Sequence, residues 1–519
     1  MKSRLYCILG IILFCFCIII FRMLDISIMQ EVDINQNNTP YIMRGNIYDR
    51  NGVILAGNLP TKSMYIKPEQ ITNIDATAKL IAKVMEQYCV QCNVSLSERI
   101  ASKITTAKNF VWIKRHVLPE EYIKIKALGI PGVYFAEDNK RFYPYENTFS
   151  HLIGFVDIDQ NGIAGIERQF NETLSKGSDI TITLDTKIQD ITHFKLKKYV
   201  TEHDALGGMA VIMNANNGEI ISMVSLPDFN PNTFKSKDQE AMFNRVTLGV
   251  YEMGSTFKIL TVAMGLDLGV VKLGDSFNVA HPMKLGKYKI NDYRFHKANL
   301  SLSEVLIFSS NRGIAQVGYK IGIINQQKYM KKIGMLKPIN LEISEVGKPI
   351  HVNFKQWNDV YLATISYGHG IAVTALHNLQ AIAAVVNGGI LYKSTILPSS
   401  EPGERVFKES TSQTMRKIMR RIVEEGYAKK SDVAGYNIGG KTGTAEKVKH
   451  GKYIKKDCNL VLFVGAFPID KPEYVMLVAI DEPKANKANL GFTTGGMIAA
   501  PLAAEIIQDA GHLLSLIKH

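Results

Sequence analysis

The stretch Gly254-Ser255-Thr256-Phe257-Lys258, running on through Ile259-Leu260-Thr261-Val262-Ala263-Met264-Gly265-Leu266-Asp267-Leu268, sets a serine and a lysine three positions apart at the head of an apolar run. The run from 254 to 268 reads as a buried helix. On a helix, positions i and i+3 share a face, so Lys258 falls beside Ser255. A serine hydroxyl is a poor nucleophile until a base takes its proton. A lysine is such a base only when neutral, and burial or a second cation pushes its pKa down. With Ser255 at the helix start, the positive end of the dipole also faces any oxyanion that develops there. Alone the pattern is weak. An N-cap serine gives the same letters, and Ser515-Leu516-Ile517-Lys518 repeats the spacing.

Two further patterns follow in order. Ser309-Ser310-Asn311 is S-x-N, at the end of a helical pattern that begins near Ser301, and Lys441-Thr442-Gly443 is K-T-G, on an expected strand. Ser276-Phe277-Asn278 is a second S-x-N, but it lies in a polar, helix-poor stretch close after Ser255, and Ser515 has no partners downstream. The ordered triple, with the K-T-G on a strand, is a strong signal for acyl-serine chemistry. Lys441 is the candidate second cation that would keep Lys258 neutral.

Outward from these motifs, Asp179 to Leu184 alternates as a strand. Thr186 to His203 reads as a helix with Ile188, Ile191, Phe194, Leu196 and Val200 inward. Met209 to Met213 and Glu219 to Leu226 read as strands joined by the turn signal Asn216-Asn217-Gly218. Helices are expected over 374–386, 410–425 and about 496–510, and strands near 439–444, 460–467 and 474–480. Strands at both ends of this region around a helical middle give an α+β domain with one antiparallel sheet. Ser175-Lys176-Gly177-Ser178 is the best interior boundary. Ahead of it, Asn51-Gly52 between apolar stretches is a hairpin signal, and residues 70–110 carry mixed helical patterns.

The chain has 519 residues, 46% hydrophobic and 21% charged, which excludes a disordered tail, a collagen and a polytopic transporter. Six cysteines are too few for a disulfide scaffold. The net charge of +13 fits a solvated basic surface, an anionic lipid, an anionic polymer or a nucleic acid. The N-terminus narrows this. Lys2 and Arg4 precede LYCILGIILFCFCIIIF, 17 uncharged residues from Leu5 to Phe21, and no small-x-small cleavage site follows. That reads as an uncleaved anchor at the short end of what spans a bilayer. Asp25, Glu31 and Asp33 follow it with no Lys or Arg from Met23 to Met43, so the basic end is expected in the cytoplasm and the rest outside.

The ordered set resembles the penicilloyl-serine transferases, that is, the penicillin-binding proteins and serine β-lactamases. The resemblance extends over nearly the whole chain. Arg44-Gly45-Asn46-Ile47-Tyr48-Asp49-Arg50-Asn51-Gly52 is similar to the start of the non-catalytic pedestal of class B penicillin-binding proteins. Arg141-Phe142-Tyr143-Pro144, His151-Leu152-Ile153-Gly154 and Gly162-Ile163-Ala164-Gly165-Ile166-Glu167 are similar to its end, and Gly368-His369-Gly370-Ile371-Ala372-Val373-Thr374 to a stretch before a buried helix. The anchor, the start of the pedestal and Asp157-Ile158-Asp159 look most like the septal, cell-division branch. No glycosyltransferase-sized segment precedes Ser255, which speaks against the bifunctional class A. Glu146 departs from the family, which usually has glycine there, and Ala375 and His377 replace a usual Pro and Gln.

The resemblance implies an α+β transpeptidase fold over 176–519, preceded by an elongated, mainly β pedestal over 36–175, an anchor over 5–24 and a cytoplasmic stub over 1–4. It implies Ser255 as the acylated nucleophile, Lys258 as proton acceptor, and Ser309 and Asn311 as proton relay and peptide holder. Lys441, Thr442, Gly443 and Thr444 would line the far wall and bind the substrate carboxylate. It implies no cofactor and no metal. Its partners would be stem peptides ending in D-Ala-D-Ala, β-lactams, the bacterial inner membrane and division proteins such as a lipid-II glycosyltransferase, with no nucleic acid. An elongation-type transpeptidase or D,D-carboxypeptidase shares the same first half-reaction. A division scaffold or β-lactam sensor would keep the pocket without the chemistry.

Rival motifs carry less. Gly435 to Thr442 fits the P-loop pattern G-x-x-x-x-G-K-T, but neither a buried strand before it nor a helix after it is expected. Cys89-Val90-Gln91-Cys92 has no second pair to complete a metal site, and Cys458 reads as a strand core residue. No G-x-S-x-G is present, against an α/β-hydrolase.

Overall fold

The computed structural model describes Phe14, Phe16, residues 18–20, 42–88, 95–233, 239–286, 288–294, 297–449, 452–453 and 458–514. The chain falls into two units, Met1–Ile42 and Met43–His519. In the first, Phe14, Phe16 and residues 18–20 are helical and exposed. Most of the expected anchor lies outside the described residues, as do the linker before Tyr41, Cys89, Cys92 and the decoy Ser515–Lys518. Among the described residues no helix is long and apolar enough to cross a membrane.

The second unit opens on a sheet of five strands. Ile47–Tyr48 pairs with the long strand Ile54–Ile66, which also pairs with Val111–Val117 and, over ten residues, with Val133–Phe142. The Asn51-Gly52 hairpin is present, with Gly52 at φ +80°, a turn conformation open to glycine. Three helices accompany these strands, so the pedestal is mixed α and β rather than mainly β. Ile74–Met85 starts where the Asn73 side chain accepts from the Ala76 amide, and Leu96–Thr106 starts where Ser95 accepts from Glu98. Pro119 opens the third, Pro119–Ala127. Their apolar faces, with Ala78, Ile81, Ile100, Ile104 and Ile125, close a core of their own against Met64 and Ile66. The strand signal prevails only where alternation is uninterrupted, and 70–110 carries the helical period instead.

Two buried polar clusters use the charged residues of the pedestal motifs. Glu167, fully buried, accepts from Arg44 Nε and Arg141 Nε, each at 2.7 Å. Three sequence-distant segments are tied at one carboxylate, the condition under which buried charge is tolerated. Asp49 accepts from Asn51 and Val53 amides with one oxygen and from Thr186 N and Oγ1 with the other. It thereby joins the first hairpin to the helix that follows.

The expected strand from Asp179 to Leu184 shortens to Ile180–Thr181, which pairs in parallel with Ile47–Tyr48. Beyond it the chain stays extended, but Thr183 N turns to the carbonyl of Ile396, so the ladder ends. The helix Thr186–Glu202 buries Ile188, Thr192, Leu196 and Tyr199, spaced by four, four and three. Phe194 falls on the opposite side of that stripe and is 67% exposed, contrary to its expected inward place.

The second sheet runs Gly439–Glu446, Asn459–Phe467, Tyr474–Asp481, Gly207–Asn214, Ile220–Leu226, antiparallel throughout. Every residue of Ile220–Leu226 is buried, so both faces of the sheet are covered. The helices Thr186–Glu202 and Ala499–Ala510 lock together through Lys195–Asp509 and Tyr199–Glu505. The helices Phe257–Leu268, Ala375–Val386 and Glu409–Glu425 form part of the same continuous core. Gly439–Glu446 is one of the two edge strands, and the described residues after it continue into the short strands Val448–Lys449 and Lys452–Tyr453 rather than a helix, against the P-loop reading. Cys458 sits half-buried just before the strand Asn459–Phe467 rather than in its core.

Candidate active site

Gly254–Thr256 forms a single 3-10 turn that runs into the helix Phe257–Leu268. Gly254 has φ +50°, and a Cβ there would come 3.1 Å from the carbonyl oxygen of Thr444. Gly443 is equally confined: its Cβ would meet Leu462 at 2.8 Å and the Met253 carbonyl at 3.1 Å. The turn carrying Ser255 therefore packs directly against the K-T-G strand because both sides lack side chains at the contact. Behind the turn, Gly254 N donates to Gly368 O, and Asn378 donates to the Thr256 hydroxyl.

Ser255 is half-buried, whereas Lys258, one turn on, is 1% exposed. Lys258 Nζ donates to the carbonyl of Ser309 at 2.5 Å and to its hydroxyl at 3.1 Å. Ser309 holds φ +58°, unusual for a residue with a side chain. It sits between the helices Leu302–Ile307 and Asn311–Ile321, the second capped by Ser310, whose Oγ accepts from Gly313 N at 3.0 Å. Burial, then the positive charge of Lys441, hold the pKa of Lys258 well below the lysine range, with Asp292 opposing. Lys441 is itself 1% exposed and burial brings it down to about 7; its Nζ donates to Thr442 O at 3.1 Å. Two lysines sharing a dry site cannot both be charged without large cost, which favours one neutral amine beside Ser309.

Lys441, Thr442 and Gly443 pair with Val464, Phe463 and Leu462. Thr444 is exposed, and its Oγ1 accepts from Gly495 N at 3.2 Å. Asn311 Nδ2 donates to Asn291 O at 3.1 Å. The structure thus brings together Ser255, Lys258, Ser309, Lys441 and Gly443, with Asn311 on the Ser309 side and Thr444 on the strand side. Ser276–Asn278 lies instead on a short strand paired with Asn299–Ser301.

Three residues escaped the sequence reading. Asp292 is a buried carboxylate behind the S-x-N turn, and only its acid type near the motif hinted at it. Glu252 accepts from Gly370 N at 2.7 Å, and His369 is driven to a pKa of about 4 by burial, then by the charge of Lys258. Glu252 lies just before the catalytic turn and His369 in the Gly368–Gly370 loop behind it, the two segments joined by the bond from Gly370 N to Glu252.

Among the described residues, no group of His, Cys, Asp and Glu is arranged to hold a metal. Residues 208–508 match the penicillin binding protein transpeptidase domain, and 40–187 match the penicillin-binding protein dimerisation domain. The chain is 35% identical over 490 residues to the "Probable peptidoglycan D,D-transpeptidase FtsI" of Caulobacter vibrioides, covering 91% of this chain and 82% of that protein. It is 32% identical to the "Stage V sporulation protein D" of Bacillus subtilis, over 90% of this chain and 78% of that one. A crystal structure of a peptidoglycan synthetase from Bifidobacterium adolescentis shares the fold, with TM-score 0.73 at 23% identity, over 92% of this chain and 96% of that one. With both domains matched in order around the three motifs, the chain belongs to the class B penicillin-binding proteins.

Proposed function

We propose that this chain is a peptidoglycan D,D-transpeptidase that cross-links stem peptides at the division septum. The observation that carries the reading is buried Lys258, one helical turn from Ser255, donating to the Ser309 hydroxyl at 3.1 Å, with burial and then the charge of Lys441 lowering its proton affinity. Ser255 Oγ attacks the carbonyl of the penultimate D-Ala while its proton passes to neutral Lys258. The oxyanion is met by the N–H groups of Ser255 and Thr444, where one donor contributes roughly 3–4 kcal/mol. The proton moves from Lys258 by way of Ser309 to the departing amine, and the terminal D-Ala leaves. An amine of a neighbouring stem peptide then attacks the acyl-enzyme, gives up its proton along the same path and frees Ser255. Asn311 holds the peptide backbone, and Lys441, Thr442 and Thr444 bind the terminal carboxylate, with Gly443 keeping the strand flat against the turn. β-Lactams enter the same site as mimics of the D-Ala-D-Ala amide.

We read the Leu5–Phe21 run as a single anchor in the bacterial inner membrane, with residues 1–4 in the cytoplasm and the two domains outside. The pedestal over 36–175 serves spacing and contact with other division proteins. Uncross-linked glycan strands bearing pentapeptides, incubated with the purified protein, should yield peptide dimers and free D-alanine. Tetrapeptides without dimers would make it a carboxypeptidase, and no D-alanine at all would leave a scaffold. Depletion should give filaments, whereas spheres would mean an elongation role.

A further inference from the structure

Behind the turn that carries Ser309 stands a buried ion pair that none of the three motifs contains. Asp292 lies between the short strands Tyr288–Ile290 and Asn299–Ser301, its side chain 1% exposed. One carboxylate oxygen accepts from Ser310 Oγ at 2.7 Å and from Arg312 Nε at 3.0 Å, and the other accepts from Arg312 N at 3.0 Å. The preceding residue, Asn291, takes the Asn311 side-chain amide on its carbonyl at 3.1 Å. Two neighbouring residues thus grip Ser310, Asn311 and Arg312 in succession, next to Ser309, which holds φ +58° with its N–H on Leu306 O and its carbonyl on Lys258. A left-handed non-glycine residue persists only where its surroundings over-determine it.

We infer that Asp292 is a positioning residue: paired with Arg312, its carboxylate fixes the Ser309 turn at the distance at which the Ser309 hydroxyl meets Lys258. The inference rests on the transpeptidase reading and deepens it. The chain of contacts runs Asp292, Ser310, Ser309, Lys258, with no gap beyond hydrogen-bond reach. The same carboxylate acts on Lys258 by its charge, raising its proton affinity against burial and Lys441. The groups that face Lys258 are Lys441 from the edge strand, His369 from the loop behind the turn, and Asp292 with Arg312 from the S-x-N side.

The test is the rate of acylation of the purified protein by a fluorescent penicillin from pH 5 to 10, with thermal melting alongside. Acylation needs neutral Lys258, so the rate rises with pH through the Lys258 pKa. Asp292→Asn should slow the plateau about 10- to 100-fold, the usual penalty for a misplaced catalytic group. It should also move the rising limb to lower pH by roughly one unit, because a negative charge that favours protonated Lys258 is gone. Arg312→Met leaves that charge unneutralised and should move the limb the other way, and Arg312→Lys should restore most of the wild-type profile. Should Asp292→Asn fail to fold, the opposed shift in Arg312→Met alone decides. Limbs that stay in place in both variants, or plateau rates within twofold of wild type, overturn the inference. A wild-type chain that takes no label overturns the transpeptidase reading itself, and the inference with it.

Discussion

Lys258 Nζ, 1% exposed, donates to both the carbonyl and the hydroxyl of Ser309, at 2.5 and 3.1 Å. The amine is thereby fixed by the S-x-N turn, while its position on the helix sets it below Ser255. One side chain connects two motifs that are 51 residues apart in sequence.

A base fixed in this way should be indispensable for chemistry and dispensable for folding. Lys258→Ala should still bind β-lactam reversibly but acylate about 10²–10⁴-fold more slowly, the usual contribution of a positioned base. Lys258→Arg should not rescue, because a guanidinium stays charged near neutrality. Stopped-flow acylation rates check both.

Lys441 should cost the fold stability. Burial brings its folded pKa to about 7, below the ordinary lysine value of 10.5, so the unfolded chain binds the extra proton between those values. Stability therefore rises with pH through that window, and the full cost of burial is felt below about 7. Lys441→Met should be more stable than wild type by a few kcal/mol on the order-of-magnitude scale of such shifts at pH 6, with the gap closing towards pH 10. The same variant should lose acylation. Urea unfolding at a series of pH values reads the difference.

Glu167→Gln should unfold the N-terminal region. It leaves the guanidinium groups of Arg44 and Arg141 buried around a neutral amide. Removing one partner of a buried ionic cluster costs about 3–5 kcal/mol. Limited proteolysis should cut first between residues 44 and 175, with a matching loss in denaturant midpoint.

Glu146, a non-glycine residue, occupies a left-handed conformation, φ +45°. Relief of a left-handed β-carbon is worth about 1–2 kcal/mol, and the extra freedom of unfolded glycine takes back roughly 0.5–1. Glu146→Gly should raise stability by about 0.5–1 kcal/mol net, visible as a higher melting temperature, without changing acylation.

The catalytic sheet and its helices are legible because their patterns are clean: Ile220–Leu226 is mostly apolar, broken only by Ser222 and Ser225, and is buried throughout. The order of Ser255, Ser309 and Lys441 was legible because the chemistry demands those residue types. Phe194 misled because an aromatic residue was counted into the stripe on hydrophobicity, although its helical angle points elsewhere. The mainly β pedestal is what the family resemblance implies, whereas the mixed helical patterns read over 70–110 agree with the helices Ile74–Met85 and Leu96–Thr106. Asp292 could not be read, since its meaning depends on Ser310 and Arg312 folding back onto it across 18 and 20 residues.

The most direct test of the central claim is the site of the covalent adduct. Purified protein treated with a penicillin, digested and sequenced by mass spectrometry should carry one penicilloyl group, on Ser255, and Ser255→Ala should carry none while melting within about 0.5 kcal/mol of wild type, because Ser255 caps neither the turn nor the helix. An adduct on Ser309 or any other residue, or one that survives in Ser255→Ala, would contradict the account.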